Sequence, residues 1–324
     1  MRCLVTGASG FIGSWLVRKL ISEGHYVRVL CRKTSTFPLI YDLDFDKAFG
    51  DITDLKSLPA AFENIDVVFH LAGHIGYRKS ERAMMEKINV LGTENMLAVA
   101  KATPSIKRFV HLSSVVAVGA GRTPFEILDE NSPYLISSYN FGYFETKRKA
   151  EKLVLAEAQA GNLDAFALNP STVYGPGDML KGSRKSQLKV MRGKLPFYPH
   201  GGVNVVGVFE VVDTIYKSVE LAKTGERYIL CGDENLYIKD LLEKIAALAG
   251  SKPPKIELPS SIMNLMGFIG KFTGGKPIDS ETAKVTQLYH WFRCTKAKKE
   301  LEFKPSPVDE ALQSSVKWAK DNIL

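Results

Sequence analysis

The chain has 324 residues, of which 45% are hydrophobic and 24% are charged, with 26 glycines and 15 prolines. This ordinary globular composition excludes a disordered tail, a fibrous repeat and a small disulfide scaffold, and the length suggests two domains. The formal net charge of +8 favours anionic partners in general. Because no nucleic-acid-binding signature accompanies that charge, we expect a small-molecule partner and no nucleic acid.

Cysteine usage and hydropathy give an expectation for the compartment. The four cysteines, Cys3, Cys31, Cys231 and Cys294, are far apart and lack zinc-ligand spacing, so we expect reduced thiols and no metal. The apolar stretch from Ile262 to Gly270 is far shorter than the roughly 20 residues that cross a bilayer. We expect it to pack against the rest of the protein, with a membrane-facing helix or a lid over an apolar substrate as alternatives. A cytoplasmic protein without a membrane span is the resulting expectation.

The first half of the chain alternates short apolar runs with helical patterns, which predicts parallel strands joined by crossover helices. We predict strands at 3–5, 26–31, 67–71, 109–112 and 165–168, and helices at about 12–20, 81–101 and 141–160. The strands are too continuously apolar to face water on either side. The pattern predicts an α/β fold, a doubly wound parallel sheet of the Rossmann type, over residues 1–170.

After Pro170 the turn-forming residues Gly and Pro become frequent and the helical segments become shorter. We predict strands at 204–208 and 227–230, a helix at 236–249, and a last helix with one apolar face that includes Val308 and Leu312. Residues 171–324 are therefore predicted to form mainly a smaller, substrate-binding domain. We expect the segment at about 204–222 to return to the sheet.

A glycine-rich segment connects the first predicted strand to its helix. Glycines at this position allow a tight turn and let backbone N–H groups approach a pyrophosphate at the positive end of the helix. The spacing is GxxGxxG rather than the GxGxxG of most Rossmann dehydrogenases. It predicts a dinucleotide bound by Thr6, Gly7, Ser9, Gly10, Phe11, Ile12 and Gly13.

The end of the second predicted strand bears on the choice of nicotinamide cofactor. An enzyme that uses NAD usually places Asp or Glu there to bind the ribose 2′-hydroxyl. Here Cys31 is followed by Arg32 and Lys33. The guanidinium of Arg32 can form hydrogen bonds to a 2′-phosphate, and the ammonium of Lys33 adds a positive charge. We therefore predict NADP as the cofactor, with NAD as the runner-up.

Tyr143 and Lys147 lie four residues apart, on one face of a predicted helix. An ammonium close to a phenol stabilises phenolate and would lower the pKa of Tyr143 towards neutrality, which suits an acid/base group. Ser113 and Ser114 end the preceding strand, where a hydroxyl can orient a substrate oxygen. Tyr139 shares the helix face, but the residue four positions after it is Tyr143 rather than lysine, so we expect Tyr139 to line the substrate side.

Together these stretches resemble the extended short-chain dehydrogenases/reductases, the NAD-dependent epimerase/dehydratase family. The resemblance spans essentially the whole chain, through TGASGFIGSWLVRKL, GDITD, VFHLAG, NVLGT, HLSSVVAVG, YFETK and NPSTVYGPGD. The Gly13 to Val17 segment and Arg32 point to the dihydroflavonol-4-reductase-like subgroup. The family's fold and activity imply an NAD(P)-dependent oxidoreductase.

The resemblance also implies roles for individual residues. Ser114, Tyr143 and Lys147 are the implied catalytic residues, with Tyr143 and Lys147 also touching the cofactor. Further implied cofactor contacts are Asp51, Ile52, Leu71, Ala72, Gly73, Asn89, Pro170 and Ser171. Implied substrate contacts are Tyr77, Tyr139, Phe197 and Tyr198. Many relatives form dimers through the helices that hold Asn89 and Tyr143, so a homodimer is expected by analogy.

Three functions stay open on the sequence. The first is an NADP(H)-dependent oxidoreductase that transfers a hydride between nicotinamide and a carbonyl or alcohol substrate. The second is a nucleotide-sugar epimerase with tightly bound NAD(P), because the basic run from Lys181 to Lys194 could bind a diphosphate. The third is a non-catalytic NADP-binding sensor or scaffold. A 4,6-dehydratase is disfavoured, since Val115 and Val116 stand where those relatives place Asp and Glu.

Overall fold

The computed structural model describes residues 1–179, 184–273 and 278–324. Within them, the largest sheet has seven strands: β1 Arg2–Thr6, β2 Tyr26–Cys31, β3 Asp46–Phe49, β4 Val67–His70, β5 Arg108–Leu112, β6 Ala165–Pro170 and β10 Arg227–Leu230. Their order in space is β10-β6-β5-β4-β1-β2-β3, and every neighbouring pair is parallel. The predicted doubly wound parallel sheet is confirmed. Its strand order reverses beside β1, where such sheets form a crevice at their carboxyl edge.

The sheet is covered on both faces because successive side chains of a strand point to opposite sides. Leu4 and Phe109 belong to one buried cluster, while Val5 and Phe69 belong to the other. Burial on both faces explains why these strands read as continuous apolar runs.

The helices lie at the following positions: α1 Phe11–Ser22, α2 Pro59–Phe62, α3 Arg82–Met85, α4 Gly92–Ala102, α5 Gly142–Gln159, α6 Lys185–Met191, α7 Val208–Leu221, α8 Ile238–Ala249, α9 Ser260–Phe272, α10 Ser280–Val285, α11 Thr295–Glu300 and α12 Val308–Asn322. A π-helical segment, Glu86–Leu91, joins α3 to α4, so the helix predicted at 81–101 changes its winding in the middle. Strand β3 was missed, because none of its four residues is buried and only Ala48 and Phe49 are apolar.

The remaining strands belong mainly to the second half of the chain. They are β7 Thr172–Tyr174, β8 Phe197–Pro199, β9 Gly202–Gly207, β11 Asn235–Tyr237, β12 Ile256–Leu258 and β13 Tyr289–His290. Strands β7, β9, β11 and β13 form a second sheet, and β8 pairs with β12. We call the region after Pro170, apart from β10 and α7, the cap.

The expectation that the segment at about 204–222 returns to the main sheet needs correction. Strand β9 pairs with β7, β11 and β13 rather than with the large sheet. Helix α7 packs on α1 beside the main sheet, and it is β10 that adds to the sheet by pairing with β6. The helix predicted at 236–249 begins only at Ile238, because Asn235–Tyr237 pairs with β9.

Helix α9 departs from the expectation that the apolar stretch from Ile262 to Gly270 packs against the protein. Its buried residues are Met263, Gly267 and Gly270, whereas most of its large apolar side chains are exposed. Among the described residues, no helix is both long enough and apolar enough to cross a membrane.

Candidate active site

The loop between β1 and α1 is built by glycines that tolerate no side chain. Gly7 has φ of +76°, and a Cβ there would lie 2.7 Å from the backbone of Leu71. A Cβ on Gly13 would lie 2.3 Å from the carbonyl oxygen of Gly7. Gly10 closes the turn by donating its N–H to the Gly7 carbonyl at 2.8 Å. The three glycines therefore let the loop turn back tightly over the start of α1.

The amino end of α1 offers the groups that a phosphate needs. Gly10 precedes the helix and provides no side-chain cap, and no acidic residue lies in the first turn. The first N–H groups of a helix lack intrahelical partners and carry a partial positive charge. Ser9, Phe11 and Ile12 are half-buried around this end. This cradle fits the pyrophosphate of a dinucleotide, as the sequence predicts.

Thr6 joins the ends of β1 and β4. Its hydroxyl hydrogen-bonds to Nδ1 of His70 at 2.9 Å and accepts the N–H groups of Leu71 and Ala72, each at 3.1 Å. The other ring nitrogen of His70 bonds to Thr93 at 3.0 Å. Burial lowers the pKa of His70 to about 3, so this histidine is neutral. Thr6 thus holds the loop in place, and His70 is a core histidine with a hydrogen-bond partner on each ring nitrogen.

Asn89 holds the next part of the same loop. Its amide oxygen accepts the N–H of His74 at 2.7 Å, and its amide nitrogen donates to the His74 carbonyl at 3.0 Å and to the Thr146 hydroxyl at 3.1 Å. Gly73 lies directly against this amide. Asn89 is buried, and it ties the loop after β4 to α5.

Asp51 and Ile52 lie in the turn after β3. The Asp51 carboxylate accepts the backbone N–H and the hydroxyl of Thr53, both at 2.9 Å. Ile52 packs against Gly92, and its carbonyl accepts the amide of Asn95 at 2.8 Å. The Asp51 side chain is therefore engaged within its own turn.

Arg32 and Lys33 follow β2 at the carboxyl edge of the sheet, and both are exposed. The backbone N–H of Arg32 donates to the Ser35 hydroxyl at 3.2 Å. Within residues 1–179, 184–273 and 278–324, neither cation has an ion-pair partner. Pro170 and Ser171 end β6 on the other side of the crevice, where the Ser171 hydroxyl donates to Asn204 of the cap at 2.8 Å.

The structure brings Ser114, rather than Ser113, to Tyr143. The Ser114 hydroxyl lies close enough to the Tyr143 phenol to lower its pKa, and the amide of Asn169 donates to the Ser114 carbonyl at 2.9 Å. Ser113 is buried, and its hydroxyl has no hydrogen-bond partner in the described part of the chain. Ser114 follows β5, and Tyr143 is the second residue of α5. Both hydroxyls therefore lie at the carboxyl edge of the sheet.

The prediction that Lys147 lowers the pKa of Tyr143 is wrong for this arrangement. The Lys147 ammonium donates to the carbonyl of Leu112 at 2.8 Å. Burial raises the pKa of Tyr143, the nearby Tyr77 phenol raises it further, and the Ser114 hydroxyl opposes them. Two residues four apart share a helix face, but here their polar ends reach different partners.

Lys147 is buried. Burial lowers its pKa to about 8, against the attraction of Glu151. The rings of His70 and His111 stack with their centroids 5.5 Å apart. Burial lowers the pKa of both histidines, and the positive charge of Lys147 lowers it further. His111, which the sequence analysis did not single out, has no hydrogen-bond partner on either ring nitrogen within the described residues.

Tyr77 is the one predicted substrate residue that meets Tyr143 directly. Their ring centroids are 6.2 Å apart with the planes at 67°. Tyr139 instead stacks on Phe141 at 5.2 Å and lines a separate cavity of about 610 Å³ under α9. Phe144 packs against both Phe141 and Tyr143. The surroundings of Tyr143 are therefore largely aromatic.

The structure does not bring Phe197 and Tyr198 to Tyr143. Phe197 is exposed on β8, where it pairs with Ile256 of β12. Tyr198 is buried in the core of the cap. Side chains alternate along a strand, so when Tyr198 enters the cap core Phe197 must face away from it. Their predicted role as substrate contacts is not supported by these positions.

Asn169 supports the site, and the sequence analysis passed over it. Its amide donates to the Ser114 carbonyl at 2.9 Å and to the Glu151 carboxylate at 2.5 Å. Glu151 is also 3.2 Å from Arg227 of β10. The one available signal was a polar residue placed directly before Pro170, at the end of a strand that is otherwise apolar.

The cations of the basic run from Lys181 to Lys194 differ in how far they are exposed to solvent. Lys181 lies outside the described residues. Arg184 is half-buried, with its guanidinium 3.8 Å from the ring centre of Tyr174, and its charge opposes the effect of burial on the pKa of Tyr77. The remaining cations, Lys185, Lys189, Arg192 and Lys194, are exposed on or after α6. Arg184 is therefore the cation of this run that lies beside the aromatic side chains of Tyr77 and Tyr174.

The family model described as the NAD dependent epimerase/dehydratase family matches residues 3–195. A protein of Synechocystis sp. named "Putative dihydroflavonol 4-reductase" is 30% identical, over 98% of this chain and 94% of its own. The 3 beta-hydroxysteroid dehydrogenase/Delta 5-->4-isomerase of Mycobacterium tuberculosis is 29% identical, over 94% of this chain and 86% of its own. The crystal structure of gox2253 superposes with a TM-score of 0.87 at 32% identity, covering 99% of this chain and 98% of that one.

The chain belongs to the NAD-dependent epimerase/dehydratase family, and its fold is of the extended short-chain dehydrogenase/reductase type. It is an NAD(P)-dependent enzyme of that type, similar to the dihydroflavonol 4-reductases.

Proposed function

We propose that the protein is an NADP(H)-dependent oxidoreductase that acts on the carbonyl or alcohol carbon of a small, largely apolar molecule. The observation that carries this proposal is the position of the Ser114 hydroxyl beside the Tyr143 phenol at the carboxyl edge of the sheet, where Ser114 follows β5 and Tyr143 lies in the first turn of α5. Two hydroxyls held together can both contact one substrate oxygen, one as a proton donor or acceptor and the other as an orienting group. The ring of Tyr77 beside Tyr143 favours an apolar substrate body.

Nicotinamide, when bound, supplies or accepts the hydride. The glycine cradle at α1 would hold the pyrophosphate, because its close backbone approaches leave no room for a Cβ and its N–H groups are uncapped. Asn89 and Thr6 keep the loop after β4 in place beside that cradle.

Tyr143 is assigned the proton transfer at its hydroxyl oxygen. Burial raises the pKa of Tyr143, so the phenol stays protonated at neutral pH. A protonated phenol can give its proton to the oxygen of a carbonyl that is being reduced. This favours reduction over oxidation at neutral pH, whereas oxidation would need a higher pH or a further group that stabilises the phenolate.

Replacing Tyr143 by Phe tests the assignment. We expect Tyr143→Phe to lose at least about a hundredfold in kcat for NADPH-dependent reduction of a panel of ketones and aldehydes, since a positioned acid contributes about that much. The NADPH dissociation constant should stay within about twofold of wild type. If Tyr143→Phe retained turnover, a group other than Tyr143 would have to donate the proton.

The preference for NADP is proposed from Arg32 and Lys33, which are exposed at the end of β2 without an ion-pair partner among the described residues. An arginine to phosphate contact is charge-assisted and is worth about 1.5–3 kcal/mol. We expect Arg32→Ala to weaken NADPH binding by at least about tenfold and to leave NADH binding unchanged, as measured by calorimetry. Equal affinity of the wild type for NADPH and NADH would remove this part of the proposal.

A nucleotide-sugar epimerase is the second candidate, because the Arg184 guanidinium lies close to Tyr77 and could contact a diphosphate. An epimerase returns its hydride to the substrate, so NADPH would not be consumed. Calorimetry with UDP-glucose and a stoichiometric NADPH oxidation assay separate the two candidates. A protein that binds NADP but turns over no member of either panel would instead be a sensor or scaffold.

A further inference from the structure

Helix α9 exposes an unusually large apolar face. Five of its side chains are between 43% and 76% exposed: Ile262, Leu265, Phe268, Ile269 and Phe272. At about 100° per residue these positions lie within one arc of the helix. The rings of Phe268 and Phe272 are in contact, with centroids 5.2 Å apart.

The opposite face of α9 explains how the helix is held. It packs on α10 through small residues, since a Cβ on Gly267 would lie 2.8 Å from the Cβ of Ala283. Met263 is the large side chain that the helix buries. Helix α9 therefore buries the face that carries its glycines and exposes the face that carries most of its large apolar side chains. A contiguous apolar patch of this kind is rare on soluble monomers unless it contacts another phase or partner.

The surface next to this face is positively charged. The cavity of about 610 Å³ under α9 has Arg122, Lys271 and Lys284 on its wall, and no carboxylate lines it within the described residues. Neither Lys271, Lys284 nor Arg122 has an ion-pair partner in the described part of the chain. The carboxylate of Glu126 is bound to backbone N–H groups of the loop at 122–123, and Glu281 is bound to Arg82 at 2.6 Å.

The loop that supplies Arg122 carries a further exposed aromatic side chain. Phe125 follows the cavity-lining Pro124 and is 91% exposed. Aromatic side chains beside unpaired lysine and arginine form the composition that binds the interface of an anionic bilayer.

We propose that the face formed by Ile262, Leu265, Phe268, Ile269 and Phe272, with the adjoining cations, docks the enzyme on the surface of an anionic phospholipid bilayer. The apolar side chains enter the headgroup region, and Arg122, Lys271 and Lys284 meet the phosphates. A second copy of the chain fits less well, because a symmetric contact would set these cations against the same cations. A small substrate fits less well too, since the outer side of a helix is convex and ligand sites are concave.

Vesicle co-sedimentation tests the proposal. The purified full-length protein is mixed with extruded vesicles of equal parts phosphatidylcholine and phosphatidylglycerol, and separately with pure phosphatidylcholine vesicles. We expect at least about tenfold stronger binding to the anionic vesicles, because each cation near the surface contributes about 1 kcal/mol. Phe268→Ser with Phe272→Ser should weaken that binding by at least about tenfold, given the apolar area withdrawn from lipid.

Two further variants make the test specific. Lys271→Glu with Lys284→Glu should remove the preference for anionic vesicles. Tyr41→Ser, which changes an aromatic side chain that is 86% exposed elsewhere, should bind vesicles as wild type does. All these positions are outside the proposed active site, so NADPH-dependent turnover of a water-soluble ketone reports that each variant is folded.

Three results would overturn the proposal. The first is a wild type that binds neither kind of vesicle at low ionic strength. The second is full anionic-vesicle binding by the Phe268→Ser and Phe272→Ser double variant. The third is a wild type that sediments as a dimer and does not bind vesicles, while the same double variant is monomeric, which would assign the face to a second copy.

Discussion

Lys147 is a buried cation, and it should cost the protein stability below about pH 8. Burial lowers the pKa of Lys147 from 10.5 to about 8. Since each pKa unit corresponds to about 1.4 kcal/mol, keeping the ammonium protonated in the fold costs about 3 kcal/mol. Replacing Lys147 by Met removes this cost but also removes the hydrogen bond to the Leu112 carbonyl, which is worth about 1 kcal/mol. We therefore expect Lys147→Met to be more stable than wild type by about 2 kcal/mol at pH 7, without added nucleotide.

The sign of the pH dependence follows from the direction of the shift. Between pH 8 and 10.5 the unfolded chain binds more protons at Lys147 than the folded chain does, so wild-type stability rises with pH in that window relative to Lys147→Met. The advantage of the variant should fall as the pH rises and reverse near pH 10.5, where only the lost hydrogen bond remains. Equilibrium urea unfolding of both proteins at pH 7, 8.5 and 10 measures this difference.

Lys149 provides the matched control on the same helix. It is exposed, and its ammonium forms a surface ion pair with Glu86 at 2.8 Å. Lys149→Met should change stability by less than about 0.5 kcal/mol at every pH. If Lys147→Met were less stable than wild type by the same amount at pH 7 and pH 10, the reasoning from burial would be refuted. Because the family resemblance implies that Lys147 touches the cofactor, we also expect Lys147→Met to lose reductase activity, so its stability and its activity should move in opposite directions.

Two further substitutions test the supports of the cofactor cleft. Gly13→Ala places a Cβ 2.3 Å from the Gly7 carbonyl oxygen, so we expect the loop to shift and NADPH affinity to fall by at least about tenfold by calorimetry. An unchanged dissociation constant would show that the loop adapts freely. Asn89→Ala removes three hydrogen bonds to His74 and Thr146 and should destabilise the protein by about 2–3 kcal/mol in urea. Asn95→Ala, which removes one bond to the Ile52 carbonyl, should cost about 1 kcal/mol, and an equal loss for both variants would count against the interpretation of Asn89.

The main sheet could be predicted because its strands are buried on both faces. Tyr26–Cys31 and Arg227–Leu230 have the predicted bounds in the structure. Strand β3 could not be predicted, because it lies at the sheet edge and its polar residues are held by backbone pairing with β2. The sequence also could not predict that β9 belongs to the second sheet, because apolar periodicity indicates a strand but not its pairing partner.

The sequence by itself determined the class of fold and the residue types of the site, because glycine spacing, strand periodicity and helical spacing act over short stretches of chain. The choice of Ser114 over Ser113 came from the family resemblance, whereas only the tertiary structure decided that Lys147 reaches the Leu112 carbonyl. It also decided which face of α9 is buried. These outcomes depend on which surfaces pack against each other and on the resulting loss of water, and both the pKa of a group and the exposure of a side chain follow from that packing.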